Sequence, residues 1–128
     1  MQKSSIDYDK FIEGIKNIEG YPQESPEIIR VAAMKKIRDW GNCGLCPKAI
    51  TKSSRGGGKS SYFPWDAAYQ FRASYRLWKN SEWNFSRKEI AKARYDALEL
   101  WDKRDLTERE RIIKDLWKKY YEQEISGR

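Results

Sequence analysis

The sequence predicts a mainly α-helical protein interrupted once by a two-stranded β-hairpin. Three observations carry this. Apolar residues recur at three- and four-residue steps in five separate segments, the period of helices that bury one face. Residues 48–64 abandon that period and place three consecutive glycines between two short strand-like runs. Two Ser/Thr-x-x-Glu signatures mark helix starts in the last third.

The first helix is predicted over residues 7–19, where Tyr8, Phe11, Ile12, Ile15 and Ile18 fall on one face. Gly20 and Tyr21-Pro22 stop it. Ser25-Pro26 opens the second, because serine caps and proline suits the first helical position, where its missing N–H would be unpaired anyway. Ile29, Ala33, Ile37 and Trp40 line its inner face, and Lys35, Arg38 and Asn42 share another. Residues 41–44 end it, and Pro47 prevents resumption. Ala49-Ile50-Thr51 and Ser60-Ser61-Tyr62-Phe63 are the strand-like runs of the hairpin. Its tip, Lys52-Ser53-Ser54-Arg55-Gly56-Gly57-Gly58-Lys59, is basic and glycine-rich, suited to a tight reversal. A lone hairpin is marginal in water, so it must lean on the helices. Pro64-Trp65-Asp66 starts a third helix, reaching about Lys79, with Ala68, Phe71, Tyr75 and Trp78 as its stripe. The capping box Ser86-Arg87-Lys88-Glu89 leads into Ile90, Ala93, Ala97 and Trp101. The second, Thr107-Glu108-Arg109-Glu110, leads into Ile112, Ile113, Leu116, Trp117, Tyr120 and Tyr121.

Composition excludes several classes. The chain has 128 residues, 35% of them charged, yet 14% are aromatic, including six tryptophans. Disordered chains lack such ring content, so a folded domain with an aromatic core is expected. No run approaches the roughly 20 apolar residues of a membrane span, and residues 1–10 lack the apolar core of a signal peptide. There is no histidine, which removes the usual general base, the hydrolase triads and most zinc sites. Cys43-Gly44-Leu45-Cys46 has CxxC spacing, but two cysteines supply half of a structural zinc set, and no βαβ context supports a redox motif. Gly58-Lys59-Ser60 resembles the end of a phosphate-binding loop whose first glycine position holds Ser53. The expectation is a protein that is no enzyme, carries no cofactor, and resides in a reducing cytoplasm.

Charge is localised. Residues 1–24 carry a net −2 and residues 81–128 a net +1, whereas residues 25–80 hold eleven basic and three acidic side chains, a net +8. Positive potential concentrated in this way recruits polyanions. A basic helix followed at once by a basic, glycine-tipped hairpin suits double-stranded DNA: the helix enters the major groove, and the ribbon straddles the backbone. Gly56, Gly57 and Gly58 let the main chain approach phosphates, while Lys52, Arg55 and Lys59 supply charge.

The segment Ile37-Arg38-Asp39-Trp40-Gly41-Asn42-Cys43-Gly44-Leu45-Cys46-Pro47 resembles the end of the recognition helix and the following turn in MerR-type proteins. Ser61-Tyr62-Phe63-Pro64-Trp65-Asp66-Ala67 is similar to that family's wing exit. The resemblance spans about residues 28–77. It implies a winged helix-turn-helix whose wing is the hairpin, to which the two capped C-terminal helices are additional. Residues 1–80 would form the DNA-binding domain, and residues 81–128 a helical extension for packing or oligomerisation. It implies a sequence-specific DNA-binding protein, a transcriptional regulator or recombination accessory factor. Arg38 would contact phosphate, Lys35 and Lys36 would face the groove with Asn42 beside them, and Lys52, Arg55, Gly57 and Lys59 would be wing contacts. Trp40 and Tyr62 match positions that pack the wing against the helices, and both cysteines fall at apolar positions. The family's dimer rests on a long coiled coil, where residues 86–124 read as two shorter helices.

Two other readings use the same residues. A small protein-binding module, such as a phage-type inhibitor or adaptor, would present the aromatic faces of its C-terminal helices to a host protein. A single-strand or RNA binder would stack bases on exposed rings, although most rings sit at core-type spacing. The expected partners are therefore double-stranded DNA, a second copy of the chain, and a host protein, with no membrane.

Overall fold

A computed structural model describes residues 5–15, 26–53, 59–80, 82–100 and 105–127, with backbone alone for residues 26–29, 51–53, 59 and 60. The described residues form five helices and one antiparallel pair of strands, in the order α1 (Tyr8–Ile15), α2 (Pro26–Asn42), β1 (Ile50–Ser53), β2 (Lys59–Tyr62), α3 (Ala67–Trp78), α4 (Arg87–Ala97) and α5 (Glu108–Ile125). The breaks expected at Gly20 and Pro22, the cap at Ser25, Ile18 and Trp101 lie outside the described residues.

Local chemistry explains the boundaries. The Asp7 carboxylate accepts from the Lys10 N–H at 2.9 Å at the start of α1. Both predicted capping boxes form. Ser86 and Thr107 accept from the N–H groups of Glu89 and Glu110, whose carboxylates accept in return from the cap N–H groups. α2 ends in a Schellman turn: the Leu45 N–H donates to the Trp40 carbonyl at 2.9 Å, and the Gly44 N–H to that of Gly41 at 3.1 Å. Gly44 takes φ +83°, which suits glycine, and a Cβ there would lie 3.0 Å from the Tyr95 ring and 3.3 Å from Ala91 Cβ. α4 closes with the same bond pattern on a non-glycine, Glu99, at φ 54°.

The strands pair in the register Ile50↔Tyr62 to Ser53↔Lys59. Beyond them, Ile6 and Phe63 exchange two backbone hydrogen bonds of 2.9 and 2.8 Å, tying the N-terminal segment to the end of the ribbon. Period-two alternation decides which ring of the wing exit packs inward. Phe63 is buried edge-to-face against Tyr8 and Phe11, each at 4.9 Å. Tyr62 turns outward and is 37% exposed, so Phe63, not Tyr62, packs the ribbon against the helices.

One core runs through the described residues. Phe11, Ile37, Trp40, Phe63, Phe71, Ile90, Ile113 and Trp117 belong to a single buried cluster drawn from both sides of position 80. Ala33, Ile37 and Trp40 are buried as the helical period of α2 requires, and Trp40 stacks on Phe71 at 4.6 Å. α1 crosses α3 closely at Gly14, where a Cβ would lie 2.6 Å from Ala68 Cβ. α5 is fastened to α3 by polar groups as well. Trp117 Nε1 donates to Ser74 Oγ at 3.0 Å, Tyr121 Oη donates to Asp66, and Arg72 Nε donates to Glu124 at 2.7 Å. Among the described residues no buried side-chain N or O atom lacks a partner. No described helix is long and apolar enough to cross a membrane.

Gly44→Ala should lower unfolding stability by about 1–3 kcal/mol, from the left-handed backbone and the contact with Tyr95; urea denaturation measures this, and an unchanged midpoint would refute it. Burial, then the Asp66 carboxylate, raise the Tyr121 pKa above its ordinary 10. The unfolded chain therefore ionises first, and stability falls as pH rises above about 10. Tyr121→Phe should show a shallower alkaline loss in thermal melts.

Candidate nucleic-acid interface

The outer face of α2 follows from its inner one. With Ala33, Ile37 and Trp40 buried, Lys35, Arg38 and Asn42 at three- and four-residue steps are exposed on a common side. Pro47 and Lys48 then lead the chain from the Gly44 turn into β1. The result is a groove of about 450 Å³ between α2, the base of the hairpin and the start of α1. Arg38 and Asn42 line it from α2, Lys48 and Ala49 from the strand entrance, Ser61 and Phe63 from the ribbon's return, and Tyr8 and Met34 from beyond. The strand alternation that buries Phe63 also aims Ser61 into the groove.

Buried polar chemistry fixes the two walls relative to each other. Arg94 of α4, 6% exposed, donates from Nη1 to the Gly44 carbonyl at 3.0 Å and from Nε to Gln70 Oε1 at 2.7 Å. Ser74 of α3 donates to the Leu45 carbonyl at 2.6 Å. The two carbonyls just past the end of α2 thus find donors in the core, and the turn that aims β1 is held by two other helices. Burial lowers the Arg94 pKa, but guanidinium remains charged at any physiological pH.

The structure separates the predicted contacts. Lys35, Arg38 and Asn42 are exposed together on α2, and Arg38 and Asn42 meet Lys48 across the groove. Lys36 is placed otherwise. Its ammonium lies 5.3–5.5 Å from the ring centroids of Trp40, Tyr75 and Trp78, on the side of α2 that meets α3. Lys52 and Lys59 occupy β1 and β2, opposite Ser60 and Ser53. Arg55 and Gly57 lie outside the described residues. Lys48, Tyr8 and Ser61 were missed by sequence reasoning. Lys48 could have been found as the cation between the helix-breaking Pro47 and the first strand; Tyr8 and Ser61 reach the groove only through packing.

Not all the local charge is presented to solvent. Arg72 and Arg76 both pair with the half-buried Glu124 of α5, at 2.7 and 3.4 Å, and Arg76 also lies over the Tyr120 ring at 4.1 Å. Arg30 pairs with Asp9, but both are well exposed, so this bond is weak.

The two cysteines differ. Cys46 is buried beside the Ile37 carbonyl, and burial pushes its thiol up to about 12. Cys43 is exposed, contrary to the apolar position that the resemblance implied, because the Schellman turn points residue 43 outward while Leu45 and Cys46 fold back under α2. Among the described residues no group of three or more Cys, Asp or Glu side chains is placed to hold a metal.

The chain matches no protein-family model, and no curated protein or solved structure matches it.

In the native protein one thiol, Cys43, should react promptly with a disulfide reagent, and the second only after denaturation. Two fast equivalents, or fast labelling that persists in Cys43→Ser, would contradict the assignment.

Proposed function

We propose that the protein binds double-stranded DNA through α2 and the β1–β2 ribbon, in the manner of a MerR-like winged helix-turn-helix regulator or recombination accessory factor. The observation that carries this reading is the groove in which Arg38 and Asn42 of α2 face Lys48 at the hairpin base. The groove belongs to the stretch that holds the chain's excess positive charge. A helix of 17 residues with an exposed basic face has the length and diameter to lie in a major groove. Arginine and asparagine are the side chains that pair bidentately with guanine and adenine edges, and lysine neutralises phosphate. The glycine-rich segment 54–58, with Arg55, follows β1 directly in sequence, and Phe63 anchors the ribbon's other end in the core.

Binding to random duplex should weaken steeply with salt, and each lost phosphate contact should change the logarithmic slope by about 0.9. Arg38→Ala and Lys48→Ala should each flatten that slope in a filter-binding titration, as should Arg55→Ala in the glycine-rich segment. Unchanged slopes in all three would overturn the reading in favour of a protein-binding module, whose retention on an acidic matrix would be indifferent to duplex competitor.

A further inference from the structure

The groove beside α2 is a pocket as well as a face. Its volume of about 450 Å³ falls within the range of small-molecule sites. Two cations line it, Arg38 from the helix and Lys48 from the strand entrance, and no carboxylate does. Neither cation, nor Asn42 beside them, has a hydrogen bond or ion pair with another described residue. By contrast, Arg72 and Arg76 are taken up by Glu124, and Arg94 by Gly44 and Gln70. The rest of the lining is largely apolar. Phe63 is buried, held edge-on by Tyr8 at 4.9 Å, while Tyr8 and Met34 are half-buried and keep part of their surface accessible.

This combination sorts ligands. Inorganic phosphate satisfies the cations but leaves the apolar lining and most of the volume unused. A purely apolar molecule leaves both cations without a counter-charge. A molecule with an anionic end and a flat ring uses both halves. A phosphate monoester carries a charge of about −1.5 to −2 at pH 7, which matches one arginine and one lysine. The guanidinium fork pairs with two phosphate oxygens, and the ammonium adds a point charge. An asparagine amide presents donor and acceptor side by side, the pair that fits N7 and N6 of adenine. A thioether and a tyrosine ring lie well against the face of a base.

We propose that this groove binds a free adenine nucleotide, its phosphate between Arg38 and Lys48, its base against Met34 and Tyr8, and the edge of that base read by Asn42. The inference goes beyond the duplex reading, because it concerns a small molecule and holds whether or not duplex binds. Where both bind, they share Arg38 and Asn42 and exclude each other.

The test is isothermal titration calorimetry of the full chain with adenosine monophosphate, compared with adenosine, ribose phosphate and guanosine monophosphate. Adenosine monophosphate should bind saturably and more tightly than the other three. Arg38→Ala and Lys48→Ala, both changes at exposed positions, should each weaken it about tenfold, the worth of one charge-assisted hydrogen bond. Asn42→Ala should erase the preference for adenine over guanine. Lys118→Ala removes an equal charge from the exposed side of α5 and should change nothing. The proposal is overturned if adenosine monophosphate gives no saturable heat, or if ribose phosphate or guanosine monophosphate binds as tightly. It is overturned equally if Arg38→Ala and Lys48→Ala both bind like wild type, or if Lys118→Ala loses as much as they do. The titration contains no DNA, so a failure of nucleotide binding and a failure of duplex binding are read separately.

Discussion

The buried hydrogen bonds beneath the turn at residues 43–46 are the constraint on which the rest of the arrangement depends. The Schellman turn satisfies the last carbonyls of α2 but leaves those of Gly44 and Leu45 in the core, where they need donors of their own. Arg94 and Ser74 answer that demand at Gly44 and Leu45. Ser74 in turn accepts from Trp117, and Arg94 is steadied by Gln70, so α3, α4 and α5 converge on one turn. Removing either donor would leave buried acceptors unpaired, which costs more than the hydrogen bond itself contributes. The orientation of α2 and the exit direction of β1 are set at this point, and with them the groove between helix and ribbon.

Charge placement follows from the same packing. The middle of the chain reads as uniformly basic, yet its cations end in different surroundings. Glu124 near the end of α5 takes up Arg72 and Arg76, because α5 lies along α3. The aromatic seam between α2 and α3 takes up Lys36. Lys35, Arg38 and Lys48 stay on the outer side of α2 and at the base of the ribbon. Partition by burial turns a diffuse compositional excess into one basic groove, while other cations are paired or set against rings.

The aromatic content has a double use. Phe11, Phe63, Phe71 and Trp40 interlock through edge-to-face and stacked contacts and fill a core that would otherwise be thin for a chain so rich in charge. Trp78, and the Trp83 ring stacked on Phe85 at 5.8 Å, sit at the margin of that core and remain accessible. Rings at the margin keep one side in the apolar cluster and leave the other exposed.

Helix positions, the hairpin and both capping boxes were legible in the sequence because each rests on neighbours within a few residues: a period of apolar side chains, a serine or threonine three residues before a glutamate, a glycine at a left-handed turn. The exposure of Lys35, Arg38 and Asn42 was legible for the same reason, since the helical period fixes one face once the other is buried. What only the tertiary structure decided depends on groups far apart in the chain. Arg94 and Ser74 read as an ordinary helix charge and an ordinary helix serine until the turn at Gly44 lies against them. Lys36 reads as one more surface cation until α3 brings Tyr75 and Trp78 beneath it. The choice between Tyr62 and Phe63 hung on the register of a ribbon, and the pairing of Ile6 with Phe63 on a fold that returns the N-terminus to it. Local patterns determine which elements form, because their hydrogen bonds close within a turn. Packing between elements decides which charges are left to meet a partner, because desolvation acts on whatever the fold brings together.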